Sequence, residues 1–248
     1  MLEAVLFDWG DTLMRWEWDA SLLEAGHRAG LAAVGREDMP EADALAAHFA
    51  EAYLPFFWLP GAVEEIEYPG LVRELLGHFG VEVSDDELGR FLEAEHDAWR
   101  PACALGATTH ALLESLRARG LKLGLVSNAF DPPWLLHRDL ERMGVAERLD
   151  TAVFSSELGR RKPDPAIFER ALEALGVEAG RALFVGDSLV ADVGGAAALG
   201  MRTVQALWFR ADDAPDASEP DYRAFTQMDV LNVALRLRGF GGCFAEPS

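Results

Sequence analysis

The run Val5–Leu13, Val-Leu-Phe-Asp-Trp-Gly-Asp-Thr-Leu, constrains this chain more than any other stretch. A short apolar run from Leu2 to Phe7 leads directly into acidic and glycine residues. This pattern predicts a central parallel strand that ends at the carboxyl edge of a sheet, where open α/β sheets place their ligands. Taken alone, Asp8 favours a plainer interpretation as a strand followed by a Gly-Asp turn, so the later segments decide between the two.

Composition limits the classes of protein to which the chain can belong. Its 248 residues, half of them hydrophobic, are enough for one large domain or for a core with a sizeable insertion. Its 42 acidic and 22 basic residues give a net charge of −20, which repels nucleic acid and anionic membranes. No apolar stretch approaches the roughly 20 residues of a membrane span, and no basic leader precedes Asp8, so we expect a cytoplasmic protein. Cys103 and Cys243 lie far apart and indicate neither a disulfide framework nor a zinc site.

A helical region follows the first strand. From Trp16 to about Arg100 the apolar residues recur at helical spacing, with little strand character. The predicted helices are Ala20–Ala33, Glu41–Tyr53, Leu71–Phe79 and Asp86–Trp99. Ser84 and Glu87 form a capping-box pattern at the start of the last one. We interpret this region as a helical insertion.

Strands and helices alternate again after Ala104. The predicted strands are Leu121–Val126, Ala152–Phe154, Ala182–Val185 and Thr203–Leu207, with helices between them. Such alternation predicts a parallel sheet with right-handed crossover connections. A surface loop is expected at Arg210–Tyr222 and a last helix at Val230–Leu237.

Polar side chains follow the predicted strands in a regular way. In chain order they are Asp8, Ser127 with Asn128, Lys162 on a loop, and Asp187 with Asp192. Each of the later residues, taken alone, is more often a turn, cap or solvated residue than a ligand. Because the carboxyl ends of parallel strands share one edge of a sheet, we expect these side chains to converge.

The predicted cluster has the composition that phosphoryl transfer requires. Asp8 and Asp187 supply hard oxygen ligands, which Mg²⁺ accepts while keeping several waters and a substrate phosphate. Ser127 offers a hydroxyl group beside backbone N–H groups that would receive a phosphoryl oxygen. Lys162, one of only two lysines in the chain, adds a fixed positive charge.

Four ordered motifs resemble those of the haloacid dehalogenase-like (HAD) hydrolase superfamily. They are Phe7–Leu13, Leu125–Asn128, Lys162–Pro165 and Gly186–Asp192, and the resemblance covers about Met1–Leu207. It implies an α/β fold with a Rossmann-like, doubly wound parallel sheet as the core, at residues 1–14 and 105–248. It also implies a helical cap domain, at residues 15–104, that is inserted after the first strand and selects the substrate.

The resemblance also implies roles for individual residues. Asp8 would be the nucleophile, forming a covalent aspartyl intermediate that water hydrolyses, with Lys162 and Ser127 as its catalytic partners. Mg²⁺ would be the cofactor. Its ligands would be Asp8, the backbone carbonyl of Gly10, Asp187 and Asp192. The substrate phosphate would lie against Ser127, Asn128, Lys162, Trp9 and Asp11.

One position departs from the family pattern. Phosphatases of this family usually carry a second Asp two residues after the nucleophile, as general acid for the leaving alcohol, and here that residue is Gly10. Asp11 is displaced by one position, which in an extended segment turns its side chain to the other face, so we do not assign it the acid's role. Loss of a general acid costs about 10²–10⁴ in rate, which is serious for an alkoxide leaving group and slight for a good one.

Three functions follow from this pattern. The favoured one is a Mg²⁺-dependent phosphatase for a small phosphorylated metabolite, specialised for a good leaving group or supplied with an acid by the cap. The second is a dehalogenase-like or phosphonate-cleaving hydrolase, because family members with those activities also lack the second Asp. The third is a catalytically weak member that binds a metabolite or a protein. A nicotinamide-dependent enzyme is disfavoured because no G-x-G-x-x-G follows any strand, and the sequence carries no signal for an oligomeric state.

Overall fold

The computed structural model describes residues 1–57, 62–209 and 218–239. Its strands are β1 Ala4–Phe7, β2 Met14–Trp16, β3 Cys103–Leu105, β4 Lys122–Ser127, β5 Thr151–Phe154, β6 Ala182–Gly186, β7 Arg202–Ala206 and β8 Tyr222–Ala224. Six of them form one parallel sheet in the order β5-β4-β1-β6-β7-β8. Residues 210–217 of the expected surface loop lie outside the described residues, and Tyr222 at its end begins the edge strand β8 instead.

The α-helices between β2 and β3 form a separate region, and those after β3 cover both faces of the sheet. The helices are α1 Ala20–Val34, α2 Ala42–Ala52, α3 Leu54–Phe57, α4 Tyr68–His78, α5 Asp85–Trp99, α6 Thr109–Arg117, α7 Pro133–Arg142, α8 Ser155–Leu158, α9 Pro165–Leu175, α10 Gly195–Ala198 and α11 Gln227–Leu237. Within the described ranges, none of these helices is both long and apolar enough to cross a membrane.

Strand β1 lies at the centre of the sheet and all four of its residues are buried. Val5 and Phe7 face a hydrophobic cluster that includes residues of α6, α7 and α11, while Ala4 and Leu6 face a second cluster that includes residues of α9. Burial on both faces is what a continuous apolar run in a parallel strand predicts. The predicted α/β fold with a doubly wound parallel sheet is therefore confirmed.

The helices α1 to α5, which we call the helical insertion, have a hydrophobic cluster largely of their own. Its two longest helices, α1 and α5, pack closely because α1 carries Gly26 and Gly30 at the contact. A Cβ atom at Gly26 would lie 2.4 Å from the Trp99 indole nitrogen, and one at Gly30 would lie 2.7 Å from the Phe91 ring. The antiparallel pair of β2 and β3 joins the two ends of the insertion. Neither strand was predicted, because three residues are too few to show an alternating pattern.

The helical insertion is bound to the sheet domain by ion pairs between α5 and the region of α7. His96 lies between two carboxylates, with Nδ1 2.9 Å from Asp131 Oδ1 and Nε2 2.8 Å from Asp139 Oδ2. Beside it, Arg138 and Arg142 contact Asp97 at 2.6 and 2.9 Å. Although burial opposes the charged form, the hydrogen bonds and charges of Asp131 and Asp139 raise the pKa of His96 to about 9. His96 is therefore a cation at neutral pH.

We predict that this contact weakens in mild alkali. A pKa of about 9, against an ordinary value of 6.5, corresponds to up to about 3 kcal/mol of stabilisation. That stabilisation is fully present below about pH 6.5 and is lost as the pH rises through 9. Urea unfolding of the natural chain and of His96→Gln, measured from pH 6 to 10, should therefore give free energies of unfolding that differ at pH 6 and converge at pH 10.

The comparison isolates His96 because both proteins retain the other titrating groups. Glu95, for example, is buried in the insertion and its pKa is raised to about 8 by that burial. A difference between the two proteins that stays constant from pH 6 to 10 would contradict the assignment of a charged His96.

Candidate active site

The site is built around Lys162, whose ammonium group is buried at the carboxyl edge of the sheet. Its Nζ lies 2.5 Å from Asp8 Oδ1 and 2.7 Å from Asp192 Oδ1, and donates to the Val126 carbonyl at 2.9 Å. Asp8 follows β1, Val126 belongs to β4, and Asp192 lies in the π-helical turn Leu189–Gly194 after β6. The structure thus brings together side chains that are up to 184 residues apart in the sequence, as the strand ends predicted.

The backbone holds Asp8 and Lys162 in place. The Asp8 N–H donates to the Val185 carbonyl at 2.9 Å, which extends the pairing of β1 with β6 by one residue. The Asn128 side chain binds the main chain of Lys162 on both sides. It accepts from the Lys162 N–H at 2.7 Å and donates to the Lys162 carbonyl at 3.1 Å. Asn128 therefore positions Lys162, and the peptide bond between Lys162 and Pro163 is cis.

Three carboxylates meet beside the lysine. Asp8, Asp187 and Asp192 are all buried, and each offers an oxygen within 4.8 Å of the others. Gly186 permits this approach, because a Cβ atom there would lie 2.3 Å from Asp192 Cγ. Asp192 is also tied to the chain by its second oxygen, which accepts from the Ser188 N–H at 2.9 Å.

Burial and mutual interaction change the pKa values of the charged groups in this site. Burial raises the pKa of Asp8 to about 7, since it outweighs the attraction of Lys162, and the neighbouring Asp192 adds to the rise. Although burial opposes it, the charges of Asp192 and Asp8 raise the pKa of Lys162. Lys162 contacts two of the three carboxylates, and hard carboxylate oxygens at this spacing suit Mg²⁺. The donor set therefore fits the expected metal.

The turn after Asp8 contains the remaining expected residues. The Trp9 carbonyl accepts from the N–H groups of Leu13 and Met14 at 3.0 Å each, which closes the turn. The Trp9 side chain is buried in the hydrophobic cluster beside the sheet. Asp11 adopts a left-handed backbone conformation with φ of 56°, and its Oδ1 accepts from the Trp16 N–H at 3.2 Å. Gly10 has open space around it, since a Cβ atom there would meet nothing within 4 Å.

Ser127 is the last residue of β4 and is buried beside the same edge. Sequence reasoning missed two other side chains near the turn, Trp208 and Gln227, which both donate to the Thr12 carbonyl. They lie 196 and 215 residues from Thr12, and no local motif marks them. Only the packing of the folded chain identifies them.

Comparisons with known proteins agree with this geometry. A family model described as haloacid dehalogenase-like hydrolase matches residues 2–200. The chain is 30% identical to glyceraldehyde 3-phosphate phosphatase from Methanopyrus kandleri over 96% of its own length and 99% of that protein. It is 36% identical to phosphoglycolate phosphatase from Rhodospirillum rubrum over 146 residues, which is 54% of this chain and spans 58% of that relative's length.

A solved structure of a 2-haloacid dehalogenase has a similar fold over nearly the whole chain. The 2-haloacid dehalogenase from Pseudomonas syringae pv. Tomato superposes on 95% of this chain and 99% of its own, with a TM-score of 0.67 and 25% identity. The matched motifs, the parallel sheet and the cluster around Lys162 lead to one conclusion. This chain belongs to the haloacid dehalogenase-like hydrolase family.

Proposed function

We propose that the chain is a Mg²⁺-dependent phosphatase that acts on small phosphorylated metabolites through an aspartyl-phosphate on Asp8. The observation that carries the proposal is the buried contact of Lys162 with Asp8 and Asp192, beside Asp187. Both relatives described above are named as phosphatases. Asp8, the Gly10 carbonyl, Asp187 and Asp192 would hold the metal.

The chemistry assigned to these residues has two steps. Attack of an Asp8 oxygen on the substrate phosphorus forms the aspartyl P–O bond and breaks the bond between phosphorus and the leaving oxygen. Water then attacks the same phosphorus and breaks the aspartyl P–O bond, which restores the Asp8 carboxylate and releases inorganic phosphate that carries the protons of the water. Lys162 and the Ser127 hydroxyl would hold the phosphoryl oxygens, whose charge a bound Mg²⁺ would help to neutralise.

Asn128 contributes to this site through Lys162, since its side chain fixes the main chain on both sides of that residue. Trp9 and Asp11 would contribute through the main chain of their turn, because one side chain is buried in the hydrophobic cluster and the other accepts from Trp16. Asp11 therefore does not replace the missing general acid.

We also propose that residues 15–104 act as a cap that selects the substrate and that residues 1–14 and 105–248 form the catalytic core. The contacts of the insertion support this division. Phe130, three residues after Ser127, packs against Phe57 and Tyr68 of the insertion with ring centroids 4.9 Å apart in each case. The Glu65 N–H donates to the Gly159 carbonyl at 3.1 Å, close to Lys162 in the chain.

A dehalogenase-like hydrolase is the second candidate. Gly10 favours it, because a halide leaves without a proton, and the structural similarity to a 2-haloacid dehalogenase is consistent with it. The cluster of three carboxylates favours the phosphatase instead, because displacement of a halide needs no metal. A member that only binds its ligand is the third candidate, and the next experiment separates all three.

We predict that the chain releases phosphate from p-nitrophenyl phosphate and acetyl phosphate, whose leaving groups need little protonation. EDTA should abolish turnover and Mg²⁺ should restore it. Asp8→Asn should lower kcat at least about 10³-fold, because an amide is a poor nucleophile. The matched control is Asp221→Asn, which removes a carboxylate at the opposite edge of the sheet, where Asp221 accepts from the Thr203 N–H.

Each other outcome points to a different candidate. Turnover of 2-haloacids without phosphate release would favour the dehalogenase. Tight binding of a phosphorylated ligand, without turnover of any of these compounds, would favour the binding protein. Equal activity of Asp8→Asn and the natural chain would contradict the proposal of an aspartyl-phosphate intermediate.

A second prediction concerns the missing acid. Because Gly10 is surrounded by open space, Gly10→Asp can be accommodated and would restore a carboxyl group two residues after Asp8. The measured quantity is the ratio of kcat on an alkyl phosphate such as glycerol phosphate to kcat on p-nitrophenyl phosphate. We expect this ratio to be at least about tenfold higher in Gly10→Asp than in the natural chain. Gly10→Asn is the matched control, since it has the same size and no acidic proton. Equal ratios for the two variants would contradict the proposal that Gly10 limits the leaving group.

A further inference from the structure

The turn that follows Asp8 is held at its far end by side chains from the C-terminal part of the chain. Trp208 Nε1 donates to the Thr12 carbonyl at 2.9 Å, and Gln227 Nε2 donates to the same oxygen at 3.2 Å. Thr12 and Gln227 are buried, so this carbonyl depends on protein donors rather than on bulk water. Both donors lie beyond residue 200, where the match to the family model ends.

Gln227 is itself fixed in one orientation. Its Nε2 also donates to Thr109 Oγ1 at 2.7 Å, and its Oε1 accepts from Thr108 Oγ1 at 2.8 Å. Thr109 Oγ1 in turn donates to the Leu13 carbonyl at 2.8 Å, so one amide group supports two successive carbonyls of the turn. Gly106 leaves room for this amide, because a Cβ atom there would lie 2.4 Å from Gln227 Nε2.

The turn needs such support because its conformation is unusual. Asp11 has a φ of 56°, in the left-handed region that residues other than glycine rarely adopt. Only Gly10 and Asp11 separate Trp9, which is anchored by its buried side chain, from Thr12. The Gly10 and Asp11 peptide groups lie between these two anchors, so fixing the Thr12 carbonyl restricts the conformations open to the Gly10 carbonyl.

We propose that Gln227 and Trp208 are positioning residues that aim the Gly10 carbonyl at the metal site by fixing the Thr12 carbonyl. This inference rests on the proposed function, because it assumes that the cluster beside Asp8 binds Mg²⁺. Neither side chain touches the reacting atoms. Groups that orient metal ligands in this way typically change metal affinity or activity by about 10–100-fold when they are removed.

The test compares Gln227→Met, Trp208→Phe and the double variant with the natural chain. Gln227→Met keeps the length of the side chain and removes both donors, while Trp208→Phe removes the indole N–H and keeps an aromatic ring. The measured quantities are the dissociation constant of Mn²⁺ by calorimetry, the rise in melting temperature on adding Mg²⁺, and the Mg²⁺ concentration that half-saturates phosphate release.

The matched control is Thr226→Ala. Thr226 caps helix α11 immediately before Gln227, where its side chain accepts from the Asp229 N–H, and it makes no contact with the turn among the described bonds. This variant should lower the melting temperature without changing metal affinity, so it separates loss of helix stability from loss of positioning.

We expect metal affinity to fall at least about tenfold in the double variant and by less in each single variant, because one donor then remains. Excess Mg²⁺ should recover part of the lost kcat. Unchanged Mn²⁺ affinity in the double variant, with metal binding intact in the natural chain, would overturn the inference and leave the phosphatase proposal standing. A natural chain that binds neither Mn²⁺ nor Mg²⁺ would overturn both.

Discussion

The buried ammonium group of Lys162 is the charge on which the candidate site depends. Removing such a charge from water costs several kcal/mol unless it is paired, and each of its three partners comes from a different segment. Asp8 follows β1, Val126 lies in β4 and Asp192 follows β6, so the lysine is satisfied only when these three strands have aligned. The burial of Lys162 therefore depends on the alignment of β1, β4 and β6 in the folded sheet.

The same cluster would allow an acidic protein to bind the phosphorylated compound that we propose as its substrate. With a net charge of −20, the surface of the chain repels anions at long range. Lys162 is already shared by two carboxylates, and Asp187 adds a third within 4.8 Å. A divalent cation held by these carboxylates would add positive charge where the proposed phosphate binds, so the proposed metal would support substrate binding as well as the chemistry.

Most of the site could be predicted because each residue follows a recognisable strand or opens a recognisable turn. Asp8, Ser127 and Asp187 follow apolar runs, and parallel pairing brings such ends to one edge whatever their separation in the chain. The strands β2, β3 and β8 were not predictable, since three residues show no periodicity. Trp208 and Gln227 were not predictable either. Their proposed function depends on a contact with a carbonyl about 200 residues away. Every residue has a main-chain carbonyl, so the type of residue at position 12 does not mark it as the acceptor.

The position of Asp11 shows why shifting a carboxylate by one residue is not a neutral change. Its left-handed backbone turns the side chain to accept from the Trp16 N–H, at the start of the segment that leads into the helical insertion. This bond orients the Asp11 side chain toward Trp16, the last residue of strand β2. We therefore do not assign Asp11 the role of the acid, and the proposed function favours leaving groups that depart without a proton.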